Sequence, residues 1–324
     1  HRVYAPLVQA GLVAGQTQGL LRGAQATTLQ AMGDMLDAQC LPSPWAQALS
    51  ADEAQARSGI AWPGPAWLMG RAGWVSPAGL VAHWLQAEGV HWRGGVQVDR
   101  LQICAAGWRL LDDAGRPLAE APIVVLANAL DLPRLLGHAP GDWQRQRGQV
   151  SMAGSGKHEL PLPVADGGYA LTLSPGLLLF GASSQWDDTD DRVRPEDHAL
   201  NLAVLRRLTG WDLSGLPSQG RVGWRMQTED RMPWVGAAPA PQGAAGPRRD
   251  QPRFAPRLPG LYVLAGLGSR GLTHAPLAGE LLAHWITGAP MPVPSRLIDA
   301  VDPARHAARA ARTAQQAEPG LNRS

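Results

Sequence analysis

The chain is poor in several residue types, and each shortage closes off a class of function. It has 324 residues and only two cysteines, Cys40 and Cys104. That is too few for a disulfide framework or a four-cysteine zinc site, so two buried thiols in a reducing compartment is the expectation. Charged residues make up 17% of the chain and the formal net charge is +2, which sets aside a protein that coats nucleic acid by charge alone. Lys157 is the only lysine, and it lacks both the upstream glycine and the Ser/Thr of a Walker loop. No stretch approaches the roughly 18 uninterrupted apolar residues of a membrane span. H-E-x-x-H and G-x-S-x-G are also absent, so zincin and α/β-hydrolase readings lack support. Phenylalanine and tyrosine are scarce beside thirteen tryptophans, whose scatter fits core packing better than a base-stacking platform.

Glycine and proline, by contrast, are abundant (38 and 28 residues), which argues for many turns and short strands rather than a helical bundle. The 45% hydrophobic content is enough for a sizeable core. Residues 5–35 read as one or two helices. Ser50 with Asp52 and Glu53, and Ser76 with Pro77, mark helix starts. A hairpin is expected to turn at Asp113-Ala114-Gly115, followed by a buried strand over 123–127. RGQVSMA, GGYALTL and GLLLFGAS read as strands, a helix surrounds His198 to Leu208, and a Pro/Ala/Gly-rich insert occupies 237–250. Strands from distant segments punctuated by single helices predict an α/β (α+β) chain that crosses between two domains more than once.

Three places can carry chemistry. GLGSRG, Gly266 to Gly271, fits G-x-G-x-x-G between a strand and a helix, but the proline-rich chain after Gly288 leaves no second strand for a Rossmann unit. Its glycines and helix start can still bring backbone N–H groups close to an electron-rich ligand; a plain tight turn is the alternative. Arg225 lies in a strand with apolar neighbours, where an unpaired guanidinium is costly. A bound carboxylate gripped through two parallel hydrogen bonds resolves that cost, and so does an internal salt bridge to Glu229 or Asp230. VVLANA, Val124 to Ala129, ends in small residues at a strand's carboxyl end, where ligands gather in α/β folds.

Taken in order, GRAGWVSPAGL, VVLANA, RGQV, GGYALTL with GLLLFGAS, GWRMQTEDRMPWVG and GLGSRGLTHAPLAGELLA resemble the amino-acid-oxidase class of FAD-dependent oxidoreductases. The last motif, with RGQV upstream, is most similar to the FAD-dependent half of the bacterial bifunctional tRNA 5-methylaminomethyl-2-thiouridine biosynthesis family. The resemblance runs over about residues 70–300. It implies a Rossmann-like FAD-binding domain (1–30, 71–138 and 251–300) interleaved with a mixed or antiparallel β-sheet substrate domain (31–70 and 139–250), and an Ala/Arg-rich tail (301–324). The chain opens on His1, and the family's first βαβ unit with its glycine fingerprint is absent. We therefore expect a piece upstream and weak FAD binding by this chain alone. A signal peptide upstream stays open.

The implied chemistry is oxidation of the carboxymethylaminomethyl group on the tRNA wobble uridine by non-covalent FAD, releasing glyoxylate, by an oxidoreductase acting on CH–NH donors. The alternatives are a free glycine- or sarcosine-type oxidase and an inactive flavoprotein fragment. Arg225 matches the family arginine that holds the substrate carboxylate. Tyr169 matches a tyrosine bordering that pocket, although the proline commonly found after it is missing. Gly266, Gly268, Ser269, Arg270, Gly271 and Leu272 match the turn that approaches the flavin, and Asn128 lies near the cofactor. The resemblance identifies no catalytic base. It also implies a fused S-adenosylmethionine-dependent methyltransferase half, a tRNA partner, a cytoplasmic location and no membrane. No metal site is expected; the run Asp187, Asp188, Asp190, Asp191 lacks calcium-loop spacing and reads as a solvated turn. His274 reads as a capping or packing residue, and His83 and His284 as structural. In the tail, Arg305 and Arg309 share one helix face and, with Arg312 and Arg323, form a possible phosphate contact; a solvated tail is the alternative.

Overall fold

The computed structural model describes residues 1–24, 27–216, 218–241 and 248–317. The chain forms two compact units: residues 1–92, 147–185 and 189–223 in one, and 93–146, 186–188 and 224–324 in the other. These boundaries divide the chain differently from the functional domains expected above, because 71–92 falls with 1–70 and the tail falls with 251–300.

The first unit is built on a mixed sheet. Strand Trp143–Gly154 lies beside Leu177–Gly181, followed by Tyr169–Ser174, Val164–Ala165, Leu20–Gly23, Ala66–Met69 and Gln47–Leu49. Leu20–Gly23 corrects the reading of 5–35 as helix alone. That segment is helix Tyr4–Gln9, strands Gly15–Gln16 and Leu20–Gly23, then helix Leu29–Ala38. The strand forms because Leu21 is fully buried between Val164 and Leu68, its partners on either side. Tertiary burial overrides the local helical pattern there.

Helix Pro195–Thr209 covers one face of this sheet. Proline opens it, Glu196 and Asp197 occupy its first turn, and Gly210 ends it in a left-handed conformation. Its buried stripe Asp197, Asn201, Leu205, Thr209 repeats every four residues. At its start the wholly buried Arg147 binds Asp197 at 2.6 Å and donates to the carbonyls of Asp190 and Arg192, both at 2.7 Å. Asp190 is bonded by Arg192 and Arg194, so part of the acidic run is an anchored turn rather than a solvated one.

In the second unit, strands Arg100–Cys104, Gly107–Leu111 and Pro117–Ala121 form one antiparallel sheet. Another takes the order Trp234–Pro239, Arg257–Ala265, Val124–Leu126, with its last pair parallel. Trp234, Leu261 and Val263 form its centre with Met226 and Leu132. Helix Gly271–Thr287 packs Ala278, Leu281 and Leu282 against Val235. Helices Ser295–Val301 and Arg305–Ala317 follow. The strand expected over 123–127 is an edge strand rather than a buried one, with Ile123 and Val125 42% and 40% exposed. The thiols also depart from expectation, Cys40 being exposed and Cys104 half-buried. Cys40 follows a helix end at φ +51, and Cys104 ends an outer strand. No described helix is long and apolar enough to cross a membrane.

Candidate active site

The parallel pairing of Leu261 with Val124 and of Val263 with Leu126 points both strands the same way. Their carboxyl ends, carrying Asn128 and Gly266, therefore emerge at one edge of the sheet, the edge where α/β folds hold ligands. At the first of these ends the Asn128 amide is buried and lies beside the Asp131 carboxylate, whose ionised form it favours. The following turn is fixed by Arg134, which bonds Asp131 at 2.6 Å and the carbonyl of Val98 at 2.8 Å. That guanidinium, outweighing desolvation, holds the Asp131 carboxyl below the usual range.

The second strand end runs into the glycine turn. Gly266 and Gly268 have φ of +70 and +54. A Cβ on Gly266 would stand 2.7 Å from Thr228 Cγ2, and one on Gly268 3.0 Å from Gln227 Oε1. Conformation favours glycine at both positions, and at Gly266 the Thr228 methyl leaves no space for a side chain either. Gly268–Arg270 forms a single 3-10 turn, and helix Gly271–Thr287 starts with no side-chain cap. The positive end of the helix dipole therefore lies directly after the glycine turn. Ser269 Oγ donates to Gln146 Oε1 at 3.4 Å, and Leu272 is 41% exposed beside the turn.

Strand Ser218–Thr228 meets this turn where Gln227 bridges Leu267 in antiparallel fashion. Met226 and Thr228 on this strand are buried, while Arg225 and Gln227, on the other face by alternation, are half-buried. Arg225 therefore stands on the face that touches Gly268, about 7 Å along the strand from Gln227. Its guanidinium forms no hydrogen bond or ion pair with a described side chain. The internal salt bridge to Asp230 does not form, because Asp230 is bonded by Arg305 and Arg309 at 2.8 and 3.2 Å. Gln227 and Gln146 also border the turn. Sequence reading did not single them out, though the two-residue step from Arg225 would have marked Gln227.

Asn128, Arg225 and the 266–272 turn all belong to the second unit. Tyr169 belongs to the first. There Tyr169 pairs with Gly181, which in turn pairs with Val150. Neighbouring Ala170 is fully buried opposite Phe180, and Ser151 on the same register bonds His198 of the covering helix. Alternation puts Tyr169 on the sheet face away from that helix.

The tail is docked at its start, while most of its described residues from Arg309 onward are exposed to solvent. Helix Arg305–Ala317 begins with Arg305 only 4% exposed, and Arg309 and Arg312 bond Asp230 and the Asp250 carbonyl. The expected phosphate contact thus fails at Arg305, whose charge is already neutralised inside the protein. Arg323 lies outside the described residues. His274 is half-buried beside an apolar cavity of about 180 Å³ lined by Leu277, Val293 and Leu297. His284 bonds the Pro290 carbonyl at the end of its helix. No cluster suited to a metal ion occurs among the described residues.

The whole arrangement can be compared with known proteins. Residues 2–285 match the DAO family model, described as FAD dependent oxidoreductase. The chain is 42% identical, over 95% of its length, to the tRNA 5-methylaminomethyl-2-thiouridine biosynthesis bifunctional protein MnmC of Methylibium petroleiphilum, covering 50% of that protein. It is 41% identical, over 91% of its length, to the protein of that name from Burkholderia orbicola, covering 48% of it. The chain thus spans about half the length of the curated relatives it matches. Among solved structures, glycine oxidase from Geobacillus kaustophilus aligns with a TM-score of 0.73 at 22% identity, over 92% of this chain and 80% of that one. Iminodiacetate oxidase from Chelativorans sp. aligns at 0.72 and 21%, over 93% and 82%. Those two structures share the fold, and with most of its length matched the chain belongs to the FAD-dependent oxidoreductase (DAO) family.

Proposed function

We propose that this chain is the oxidase part of a wobble-uridine-modifying enzyme. It removes the carboxymethyl group from 5-carboxymethylaminomethyl-(2-thio)uridine in tRNA, leaving the 5-aminomethyl form and glyoxylate. The observation that carries the chemistry is the Gln227–Leu267 bridge, which brings the Arg225 face and the glycine turn together. The choice of tRNA rests on the extended identity with proteins named for that biosynthesis.

The residues fit a flavin. The glycine turn has one position, Gly266, where a side chain would collide with Thr228 and a second, Gly268, in the left-handed region, and a helix starts directly after it with no side-chain cap. Gly266, Gly268, Ser269, Arg270, Gly271, Leu272 and Asn128 would hold FAD, non-covalently. When bound, FAD supplies the two-electron acceptor. Arg225 grips the substrate carboxylate by its fork, fixing the adjacent methylene carbon. The N–H groups at the start of helix Gly271–Thr287 favour negative charge beside the turn. Loss of a hydride from that carbon leaves a C=N bond, and water adds to it to release glyoxylate and the primary amine. Tyr169 is the second substrate-binding residue of this reading. A methyltransferase half in the same protein and a cytoplasmic location complete it.

Arg225→Ala in the FAD-loaded full-length protein should lower kcat/KM for carboxymethylaminomethyl tRNA by about a hundredfold, roughly the loss of a charge-assisted bidentate contact. Its FAD content should stay near wild type. Equal losses of both would make Arg225 structural. Turnover of free glycine or sarcosine, with none of the tRNA, would establish the small-molecule oxidase instead.

A further inference from the structure

The glycine turn is held between two strands. Leu267 bridges Gln227 at the end of one, and Ala265 pairs with Trp234 at the start of the other. Those two strands are joined by the short segment Thr228–Trp234, so the placement of the glycine turn depends on how well that connection is fixed. Its backbone is unusual, with Arg231 at φ +59. Thr228 closes it by donating to the Met232 carbonyl at 2.7 Å, and the methyl group of the same Thr228 stands against Gly266.

Arg305, far along the chain, is bonded to this connection through every nitrogen of its guanidinium. Nε and one terminal nitrogen take the two Asp230 oxygens at 2.9 and 2.8 Å. The same terminal nitrogen donates to the Met232 carbonyl at 2.7 Å, and the other donates to the Pro233 carbonyl at 3.0 Å. We infer that Arg305 is a positioning residue: by clamping Asp230 and the 232–233 carbonyls it fixes the connection that sets the glycine turn against the Arg225 face. A planar fork is needed to reach a carboxylate and two carbonyls together, and lysine cannot present one. Arg305 touches no reacting atom in this scheme. It acts through Asp230, Met232 and Thr228.

The clamp is argued from geometry alone; only its effect on turnover rests on the flavin reading above. The test compares wild type with Arg305→Lys and Asp230→Asn in the full-length, FAD-loaded protein. The first readout is amide hydrogen exchange by mass spectrometry. Exchange over 264–271 should speed up by about tenfold or more in both variants, with strand Tyr169–Ser174 unchanged. The second readout is kinetic: kcat should fall by about tenfold with KM within about threefold, the pattern of a misplaced site rather than a lost binding contact. Should Arg305→Lys fail to fold, the near-isosteric Asp230→Asn still decides the matter. Looser exchange confined to helix Arg305–Ala317, with the turn unchanged, overturns the proposal by making Arg305 a helix anchor only. An altered turn in a protein whose wild type has no oxidase activity would leave the clamp standing and refute the proposed function.

Discussion

At the scale of single residues, the candidate site depends on backbone conformation as much as on side chains. Gly268 and Gly271 look equivalent in the motif but stand in opposite situations. Gly268 has φ +54 and a Cβ there would press on the end of the Gln227 side chain at 3.0 Å, whereas Gly271 has φ −51 and its nearest neighbour would be Leu267 Cβ at 3.9 Å. Gly268→Ala should therefore cost about 1–2 kcal/mol, the ordinary penalty for a left-handed alanine. Gly271→Ala, at the start of a helix, should be neutral or stabilising by about 0.5 kcal/mol. Urea unfolding of the two variants measures both. Equal losses would show that conformation at Gly268 is not what the turn requires.

At the scale of elements, what could be read from the sequence was local. Ser50 and Ser76 cap their helices as expected, Ser50 in a full capping box with Glu53, because both partners lie within three residues. Gly115 sits in the hairpin with φ +77, which its sequence neighbours already signalled. Leu20–Gly23 was missed because only pairing with Val164 and Leu68 makes it a strand. The last helix was misjudged for the same reason. Arg305 finds Asp230 75 residues away, and no local pattern in an Ala/Arg-rich stretch announces that partner.

This docking makes the helix sensitive to acid. Burial alone would raise the Asp230 carboxyl, but hydrogen bonds and charge from Arg305 win and hold it far below the usual range. Its folded pKa is thus below the unfolded value near 3.9, so its stabilisation is complete above about pH 5 and lost as pH falls through that folded value. His306 adds to the same trend. Burial first, and the Arg305 charge second, lower its pKa below about 6.5, so protonation favours the unfolded chain as pH drops. Stability should therefore fall from about pH 6 downward, through His306 first and through Asp230 below about pH 4, and Asp230→Asn should flatten the part below about pH 4 while lowering stability at pH 7. Urea midpoints across this range measure it. An unchanged slope in the variant would remove Asp230 as the source.

At the scale of the whole molecule, the sheet beneath the candidate site is open on one side. Among the described residues, strand Val124–Leu126 pairs only with Arg257–Ala265, and its other edge carries no strand. Ile123 and Val125 are exposed on it, although Leu126 between the same two strands is buried. An unpaired parallel edge with exposed β-branched residues is rare in a finished α/β sheet. It adjoins Asn128, at the edge where the flavin reading proposed above puts the cofactor. In the flavin reading proposed above the glycine turn would meet one part of the cofactor, and no second strand–turn–helix suited to a dinucleotide's pyrophosphate occurs among the described residues. We therefore expect the 324-residue chain by itself to retain little FAD after desalting, and a longer protein that contains it to retain close to one per chain. Absorbance between the protein and flavin bands, read after gel filtration, decides this. Tight one-to-one binding by the chain alone would mean that the open edge is no defect. The glycine turn, Asn128 and their neighbours would then suffice to hold the cofactor without further strands.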